Sequence, residues 1–213
     1  MAPSAEQYDA WYATPRGRWI AGREWALLAR LLPLKPQATV LDVGTGTGHF
    51  ARRFAGIGLQ VTGLDPEPAA LAYAAAKSAD IRYVQGDAQR LPFADLSFDY
   101  CAAVTSLCFI ADAKAAVHEM WRVARCGVVL GLLHRHSLLH RQKAGQGAYA
   151  GARWDDAAAV EGWLAYLTPA PAVVRTGYAV FFPGAARAAR LIEPWLPVSW
   201  PYGAFLAVAL ERR

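Results

Sequence analysis

Residues 40–50 have the sequence VLDVGTGTGHF, and this stretch decides the fold. An apolar run contains an acid, Asp42, and glycine then occupies every second position from Gly44 to Gly48. Glycine permits a sharp turn and lets backbone N–H groups approach a ligand without a Cβ in the way. A helix that begins directly after the turn adds partial positive charge there. The stretch therefore predicts a strand, a turn and a helix, with a nucleotide-like ligand at the carboxyl end of the strand.

Short apolar segments alternate with helical segments on both sides of the glycine turn. This alternation predicts a parallel sheet covered by helices on both faces. The predicted strands are 39–43, 60–64, 81–84, 98–104 and 126–133. The predicted helices are 48–55, 66–77 and one that Asp112 caps.

The two ends of the chain are predicted to complete this sheet. Residues 5–32 form one helical segment, which Pro33 and Pro36 stop. Helices are expected at 155–167 and 184–193, and late strands at 173–182 and 203–210 would form an antiparallel edge. The fold class is therefore α/β, a Rossmann-like, seven-stranded, mostly parallel sheet.

Acids follow three successive strands of the predicted sheet. Asp65 lies 21 residues beyond Gly44, where an acid can accept both ribose hydroxyls of an adenosine. Asp87 follows the third strand and can accept a hydrogen bond from the adenine amino group. Because carboxylates do not bind phosphate, the three acids favour adenosine joined to a positive group. Asp42 and His49 both disfavour the nicotinamide-dependent reductases, in which a small residue replaces His49.

The motifs VLDVGTGTGHFARRFA, VTGLDPEPAALAYA and VQGDAQRLPFADLSFDYCAAVTSL resemble those of class I S-adenosylmethionine-dependent methyltransferases. The small, UbiE-like branch that methylates small molecules is the most similar. The resemblance covers residues 36–133, and the segment YDAWY at 8–12 resembles the helical N-terminal lid of that branch. Beyond residue 134 the chain is similar to the family only in strand order.

The resemblance implies that S-adenosylmethionine is the cofactor and S-adenosylhomocysteine the product. Asp42 would lie near the ammonium group, Asp65 would hold the ribose and Asp87 would meet the adenine edge. The residues expected at the cofactor are Tyr8, Tyr12, Asp42, Gly44, Thr45, Gly46, Gly48, Asp65, Pro66, Asp87, Ala88, Val104, Thr105 and Leu107.

The positive charge of the chain is concentrated in its second half. Lysine and arginine exceed aspartate and glutamate by 22 to 17, and no acid lies between Glu119 and Asp155. Such a segment either forms a solvated basic loop or attracts anionic ligands, membrane surfaces or nucleic acid. His134 and His136 are candidates for a general base, and no metal site is expected. Candidates for acceptor binding are Trp11, Trp19, Arg135 and Arg153.

The predicted function is in-line methyl transfer to a small-molecule acceptor that is anionic or amphipathic. An RNA or protein methyltransferase and a non-catalytic cofactor-binding domain are the alternatives, and nucleic acid is disfavoured as a partner. We expect one domain at 1–213, divided into a lid at 1–32, a cofactor-binding core at 36–133, a basic loop at 134–153 and sheet completion at 154–213. No apolar run is long enough to span a membrane, and three cysteines that form no close pair and cannot all be bridged fit a reducing cytoplasm. The oligomeric state is expected to be a monomer or a homodimer.

Overall fold

The computed structural model describes residues 4–32 and 34–212, which build a seven-stranded sheet flanked by helices. Its strand order is β3-β2-β1-β4-β5-β7-β6. Strands β1 to β5 pair with one another in parallel, whereas β7 pairs antiparallel with both β5 and β6. The predicted α/β fold with an antiparallel C-terminal edge is confirmed.

The strands are β1 (Thr39–Val43), β2 (Gln60–Asp65), β3 (Arg82–Gln85), β4 (Phe98–Val104), β5 (Ala124–Leu133), β6 (Val173–Ala179) and β7 (Phe205–Glu211). The helices are α1 (Ala5–Ala13), α2 (Pro15–Leu31), α3 (His49–Gly56), α4 (Pro68–Lys77), α5 (Ala113–Val123), α6 (Leu138–Lys143), α7 (Ala157–Leu164) and α8 (Arg187–Ile192).

The central strand β1 lies between β2 and β4, so the chain direction across the sheet reverses there. A parallel sheet opens a crevice beyond the carboxyl ends of its strands at such a reversal point. The glycine turn follows β1 directly, and Thr105 follows β4, so both lie beside this crevice. The topology therefore places the sequence motifs together at one edge of the sheet.

Buried side chains cover both faces of the sheet. Along β1, Val40 packs with the group that includes Leu28 of α2 and Phe54 of α3. Its neighbour Leu41 packs on the opposite face, with the group that includes Trp121 of α5. Successive side chains of a strand point to opposite faces, and burial on both is typical of a parallel sheet.

The structure corrects the prediction of one helix over residues 5–32. A break at Thr14 separates α1 from α2, because Thr14 has extended backbone and its Oγ1 accepts a hydrogen bond from the Gly17 N–H (3.0 Å). Pro15 then occupies the first position of α2. A backbone N–H at this position has no partner within the helix, so the missing N–H of proline costs no hydrogen bond. The helix ends at Leu31, and Pro33 lies outside the described residues, as do 1–3 and 213.

Smaller corrections concern the second half of the chain. The predicted loop at 134–153 contains α6 and a 3-10 turn at Gly147–Tyr149. The predicted cap of α5 is present, since the Asp112 carboxylate accepts a hydrogen bond from the Ala115 N–H (2.9 Å).

Candidate active site

A cleft of about 490 Å³ opens at the carboxyl ends of the parallel strands. Twelve of the residues predicted to bind the cofactor line it, namely Tyr8, Tyr12, Asp42, Gly44, Thr45, Gly46, Asp65, Pro66, Asp87, Ala88, Val104 and Thr105. Two others do not line it. Gly48 caps the start of α3, and Leu107 is fully buried in the core beneath the cleft.

Asp42 is a buried acid in the floor of the cleft. Its Oδ2 accepts a hydrogen bond from the Thr45 hydroxyl (2.7 Å). Burial raises the pKa of Asp42 to about 6, and the negative charge of Asp65 adds to this effect. Because a buried carboxylate is stabilised by a positive neighbour, the floor of the cleft suits a cationic ligand.

The glycine turn is held tightly against neighbouring strands. Gly44 has a φ of +70°, and its N–H donates to the carbonyl oxygen of Leu64 at the end of β2 (2.8 Å). A Cβ on Gly44 would overlap the Cβ of Ser106. Glycine is therefore required at this position for both conformation and space.

Asp65 ties the end of β2 to the glycine turn. Its Oδ2 accepts a hydrogen bond from the Gly46 N–H (2.8 Å), and its Oδ1 accepts one from the Glu67 N–H (3.0 Å). Asp65 does not cap the following helix, since Glu67 does so by accepting from the Ala69 N–H (3.5 Å). Each oxygen of an ionised carboxylate can accept further hydrogen bonds, so Asp65 can still bind ligand hydroxyls.

Asp87 lies at the edge of the cleft and is exposed. Its Oδ1 accepts hydrogen bonds from the backbone N–H (2.8 Å) and the side-chain amide (3.2 Å) of Gln89. The three acids singled out in the sequence, Asp42, Asp65 and Asp87, thus share one cleft.

Helix α1 covers the cleft, and Tyr12 connects it to the glycine turn. The Tyr12 ring stacks on the His49 ring with centroids 3.6 Å apart and an interplanar angle of 10°. The hydroxyls of Tyr8 and Tyr12 lie 3.1 Å apart. Burial lowers the pKa of His49 to about 4, so the ring is neutral near pH 7. The cleft therefore gains no positive charge from this histidine.

Residues 41–131 match the protein family described as "Methyltransferase domain". The malonyl-[acyl-carrier protein] O-methyltransferase of Pectobacterium atrosepticum is 38% identical over 103 residues, covering 48% of this chain and 41% of its own length. The demethylmenaquinone methyltransferase of a Roseiflexus species is 39% identical over 127 residues, covering 55% of this chain and 53% of its own length. The chain spans about half the length of these relatives.

The fold comparison agrees over almost the whole chain. A Thermotoga maritima structure described as an S-adenosylmethionine-dependent methyltransferase, possible histamine N-methyltransferase, has a TM-score of 0.78. It is 22% identical and covers 98% of this chain and 96% of its own. Residues 41–131 thus match a methyltransferase domain, within a fold shared with S-adenosylmethionine-dependent methyltransferases. The predicted family and cofactor are thereby confirmed.

A second cavity, of about 350 Å³, lies next to this cleft. Helices α1 and α2, the segment from Leu139 to Tyr149 and the end of β5 line it, together with Val180 after β6 and Ala204 before β7. The two cavities share Tyr8, Tyr12, Thr105 and Phe109. No sequence motif signals this cavity, because its wall is assembled from segments that lie far apart in the chain.

Thr105 lies at the boundary of both cavities in a strained conformation. Its φ is +53°, which is uncommon for a β-branched residue. Its N–H donates to the carbonyl oxygen of Gly131 in β5 (2.7 Å), so the sheet holds it in place. Strain of this kind persists where the surrounding structure fixes the backbone, which is frequent at functional sites.

The two histidines predicted as general bases lie outside both cavities. His134 is buried, and its Nδ1 lies 2.9 Å from the carbonyl oxygen of Gly203. His136 is exposed, and its Nε2 lies 3.4 Å from an oxygen of Asp156. The structure therefore gives neither residue access to either cavity. Because both histidines follow β5 directly, their sequence position suggested a catalytic role. Their side chains, however, pack outside both cavities.

The two arginines predicted to bind the acceptor form hydrogen bonds and ion pairs within the fold instead. The Arg153 guanidinium donates to the carbonyl oxygens of Leu107 and Ile110 (both 2.9 Å) and pairs with Asp155 (2.8 Å). Arg135 donates to the carbonyl oxygen of Trp154 through Nη2 (3.0 Å). Acids beyond the basic segment thus neutralise part of its charge, and the expectation of an anion-binding loop loses its support.

The two tryptophans predicted to bind the acceptor lie in different environments. Trp11 lines the second cavity, whereas Trp19 lines neither cavity and packs against the core. Within residues 4–32 and 34–212, no cluster of three or more histidine, cysteine, aspartate or glutamate side chains could hold a metal ion. Over the same residues, every helix is too short or too polar to cross a bilayer.

Asp9 holds the lid helix α1 over the cleft, and no sequence pattern predicts this role. Its carboxylate accepts hydrogen bonds from Arg52 Nη2 (2.7 Å), the Tyr73 hydroxyl (3.3 Å) and the Thr47 hydroxyl (3.4 Å). These partners belong to α3, α4 and the glycine turn. One carboxylate therefore joins the lid to three parts of the cofactor-binding core.

Replacing Asp9 with asparagine is expected to loosen the lid. The change removes the charge from its hydrogen bonds, and such bonds are worth about 1.5–3 kcal/mol. We expect S-adenosylhomocysteine to bind about tenfold more weakly in calorimetric titrations. Glu6→Gln is the matched control, because Glu6 is an exposed acid on the same helix. Equal affinities for the Asp9→Asn variant and the control would contradict this role for Asp9.

Proposed function

We propose that this chain transfers the methyl group of S-adenosylmethionine to a small-molecule acceptor bound in the second cavity. The observation that carries the proposal is the wall shared by the two cavities, formed by Tyr8, Tyr12, Thr105 and Phe109. A donor in the cleft and an acceptor in the second cavity would meet across this wall. Alignment of the two reactants supplies much of the rate of such a displacement.

The residues of the cleft fit the donor. S-adenosylmethionine supplies a methyl group that is already activated on a positively charged sulfur. Asp42 offers a buried carboxylate to the positive charge of the methionine portion. Asp65 anchors the glycine turn and retains lone pairs for the ribose hydroxyls. Asp87, at the exposed edge, would accept a hydrogen bond from the adenine amino group.

The lid contributes aromatic rings to the place where the donor and the acceptor would meet. Tyr12 is buried between His49 and the second cavity, and Tyr8 lies beside it. An aromatic face next to a sulfonium contributes about 0.5–2 kcal/mol. Because Asp42 is itself buried, little water screens its attraction for a cationic ligand.

The second cavity supports a small-molecule acceptor over RNA or protein. Its volume of about 350 Å³ and its enclosure by helices are typical of small-molecule sites. The names of the relatives differ in acceptor, since one is a malonyl-[acyl-carrier protein] O-methyltransferase and another a demethylmenaquinone methyltransferase. The acceptor of this chain therefore has to be inferred from its own cavity.

Three further predictions are retained as part of this proposal. The cytoplasm is supported by Cys101, Cys108 and Cys126, which are unpaired in the described chain. The one-domain organisation is supported by the single sheet of seven strands. A monomer or homodimer stays a prediction.

Replacing Asp65 with alanine tests the donor site. The change removes the carboxylate that would accept hydrogen bonds from the ribose hydroxyls. It also leaves the Gly46 N–H without its hydrogen-bond partner, so the glycine turn is held less firmly. We expect S-adenosylhomocysteine to bind at least about tenfold more weakly in calorimetric titrations, since each bond to a charged group is worth about 1.5–3 kcal/mol. Asp80→Ala is the control, because Asp80 is exposed and lies outside the cleft.

Two outcomes would count against the proposal. Unchanged affinity in the Asp65→Ala variant would contradict the assignment of the cleft. Normal affinity in the wild type, combined with no transfer of label from methyl-labelled S-adenosylmethionine to a broad small-molecule library, would favour the non-catalytic alternative.

A further inference from the structure

Glu24 is a buried acid in the wall of the second cavity. It lies on α2, is only 9% exposed, and lines the cavity together with Tyr12 and Ile20. No hydrogen bond or ion pair to its carboxylate forms within residues 4–32 and 34–212, and its pKa is shifted by burial and by the charge of Arg53 alone. A buried carboxylate without a partner is costly, so its presence needs an explanation.

Aromatic side chains surround the same space. Their rings carry negative charge on the faces, which attract cations, and aromatic cages are a common means of binding ammonium groups. The aromatic residues that line the second cavity are Tyr8, Trp11, Tyr12, Phe109 and Tyr149. A carboxylate and several aromatic rings in one cavity form a set suited to an organic cation.

We infer that the acceptor of this methyltransferase carries an amine on an apolar body. The carboxylate of Glu24 binds the protonated amine, that is, an ammonium group. The inference rests on the proposed function, because it treats the second cavity as the acceptor site. It replaces the anionic acceptor expected from the basic segment, since a carboxylate in the cavity wall repels an anion. An ammonium group supplies the counter-charge that Glu24 lacks.

The other charged and titratable groups around Glu24 are compatible with a cation. Arg53 of α3 is the positive group whose charge affects Glu24, and the two do not form an ion pair in the described chain. Arg16 and Lys143 are exposed at the rim of the cavity, where water screens their charge. The remaining titratable groups on the cavity wall are the phenols of Tyr8, Tyr12 and Tyr149.

The protonation state of Glu24 should control the affinity of the cavity for a cation, and this affinity can be measured as a function of pH. Burial raises the pKa of Glu24 to about 8, so the carboxyl is largely neutral at pH 6 and ionised at pH 9. A permanently charged ligand does not titrate itself. Its affinity should therefore rise with pH across this window and report on Glu24.

The test uses benzyltrimethylammonium as the probe and phenylacetate as its anionic counterpart. Binding is followed by ligand-observed NMR with the cofactor cleft saturated by S-adenosylhomocysteine. We expect benzyltrimethylammonium to bind about tenfold or more tightly at pH 9 than at pH 6, and phenylacetate not to bind. In Glu24→Gln the affinity for the cation should be weak and independent of pH. Glu161→Gln, which changes an exposed acid on α7, should behave as the wild type.

The outcomes separate this inference from the proposed function. If S-adenosylhomocysteine does not bind to the wild type, the proposed function is wrong. If S-adenosylhomocysteine binds but the cation does not, or if the cation binds equally well to the Glu24→Gln variant, the inference about the amine is overturned. Retained S-adenosylhomocysteine binding by Glu24→Gln shows that the variant is folded.

Discussion

Gly44→Ala is expected to lower the free energy of unfolding by about 3 kcal/mol and to abolish measurable binding of S-adenosylhomocysteine. An alanine at a φ of +70° costs about 1–2 kcal/mol. Overpacking adds about 1–3 kcal/mol, because the new Cβ would overlap the Cβ of Ser106. Ser106 cannot move aside freely, since its hydroxyl donates to the carbonyl oxygen of Val43 (2.7 Å). Thermal unfolding and calorimetric titration measure the two effects.

Two companion variants isolate the role of space from that of conformation. Gly46 also has a positive φ, +52°, but a Cβ there would meet no atom within 4 Å. Gly46→Ala should therefore lower the free energy of unfolding only by the conformational cost of about 1–2 kcal/mol. Adding Ser106→Gly to Gly44→Ala removes the overlap and should recover part of the stability. Equal losses in Gly44→Ala and Gly46→Ala, or no recovery in the double variant, would refute the steric argument.

Glu24→Gln is expected to stabilise the protein increasingly as the pH rises from about 5 to 8. The pKa of Glu24 is raised from 4.5 to about 8 by burial. Between these two values the unfolded chain is ionised while the folded chain keeps its proton, so the stability of the wild type falls as the pH rises. Over three pH units this amounts to about 4 kcal/mol. The glutamine cannot ionise and avoids this loss.

Thermal unfolding at several pH values measures the difference between the Glu24→Gln variant and the wild type. The two should unfold at similar temperatures near pH 5, and the variant should unfold roughly 10 °C higher near pH 8. Other titrating groups, such as Asp42 and His49, are present in both proteins and cancel in the comparison. Glu161→Gln controls for the loss of one carboxylate. A variant that is less stable than the wild type at pH 8 would show that Glu24 is a paired carboxylate.

Local sequence patterns were sufficient for the fold and for most of the cofactor cleft. The alternation of apolar segments predicted the parallel sheet, and the glycine turn located the end of β1. Asp42, Asp65 and Asp87 were predicted to meet because the carboxyl ends of parallel strands share one edge of a sheet. These features depend on backbone conformation and on strand order, both of which leave a regular pattern in the chain.

The acceptor side of the site was predicted poorly. His134 follows β5 directly, which suggested a catalytic base, yet its ring packs against the β6–β7 edge instead. Arg153 was expected to face the acceptor, but it binds the backbone after β4. In both residues the sequence position was close to the cleft while the side chain pointed elsewhere. Side-chain direction depends on neighbours that no local pattern identifies.

The sequence by itself determined that this chain builds a mostly parallel, seven-stranded sheet with three acids in one cleft at its edge. Only the tertiary structure decided that Asp9 fastens the lid, that Glu24 faces a second cavity, and that this cavity shares a wall with the cleft. The physical reason is the range of the interactions. Turns and strands are set by neighbouring residues, whereas a cavity wall and the pKa of a buried acid are set by segments that meet only after the chain has folded.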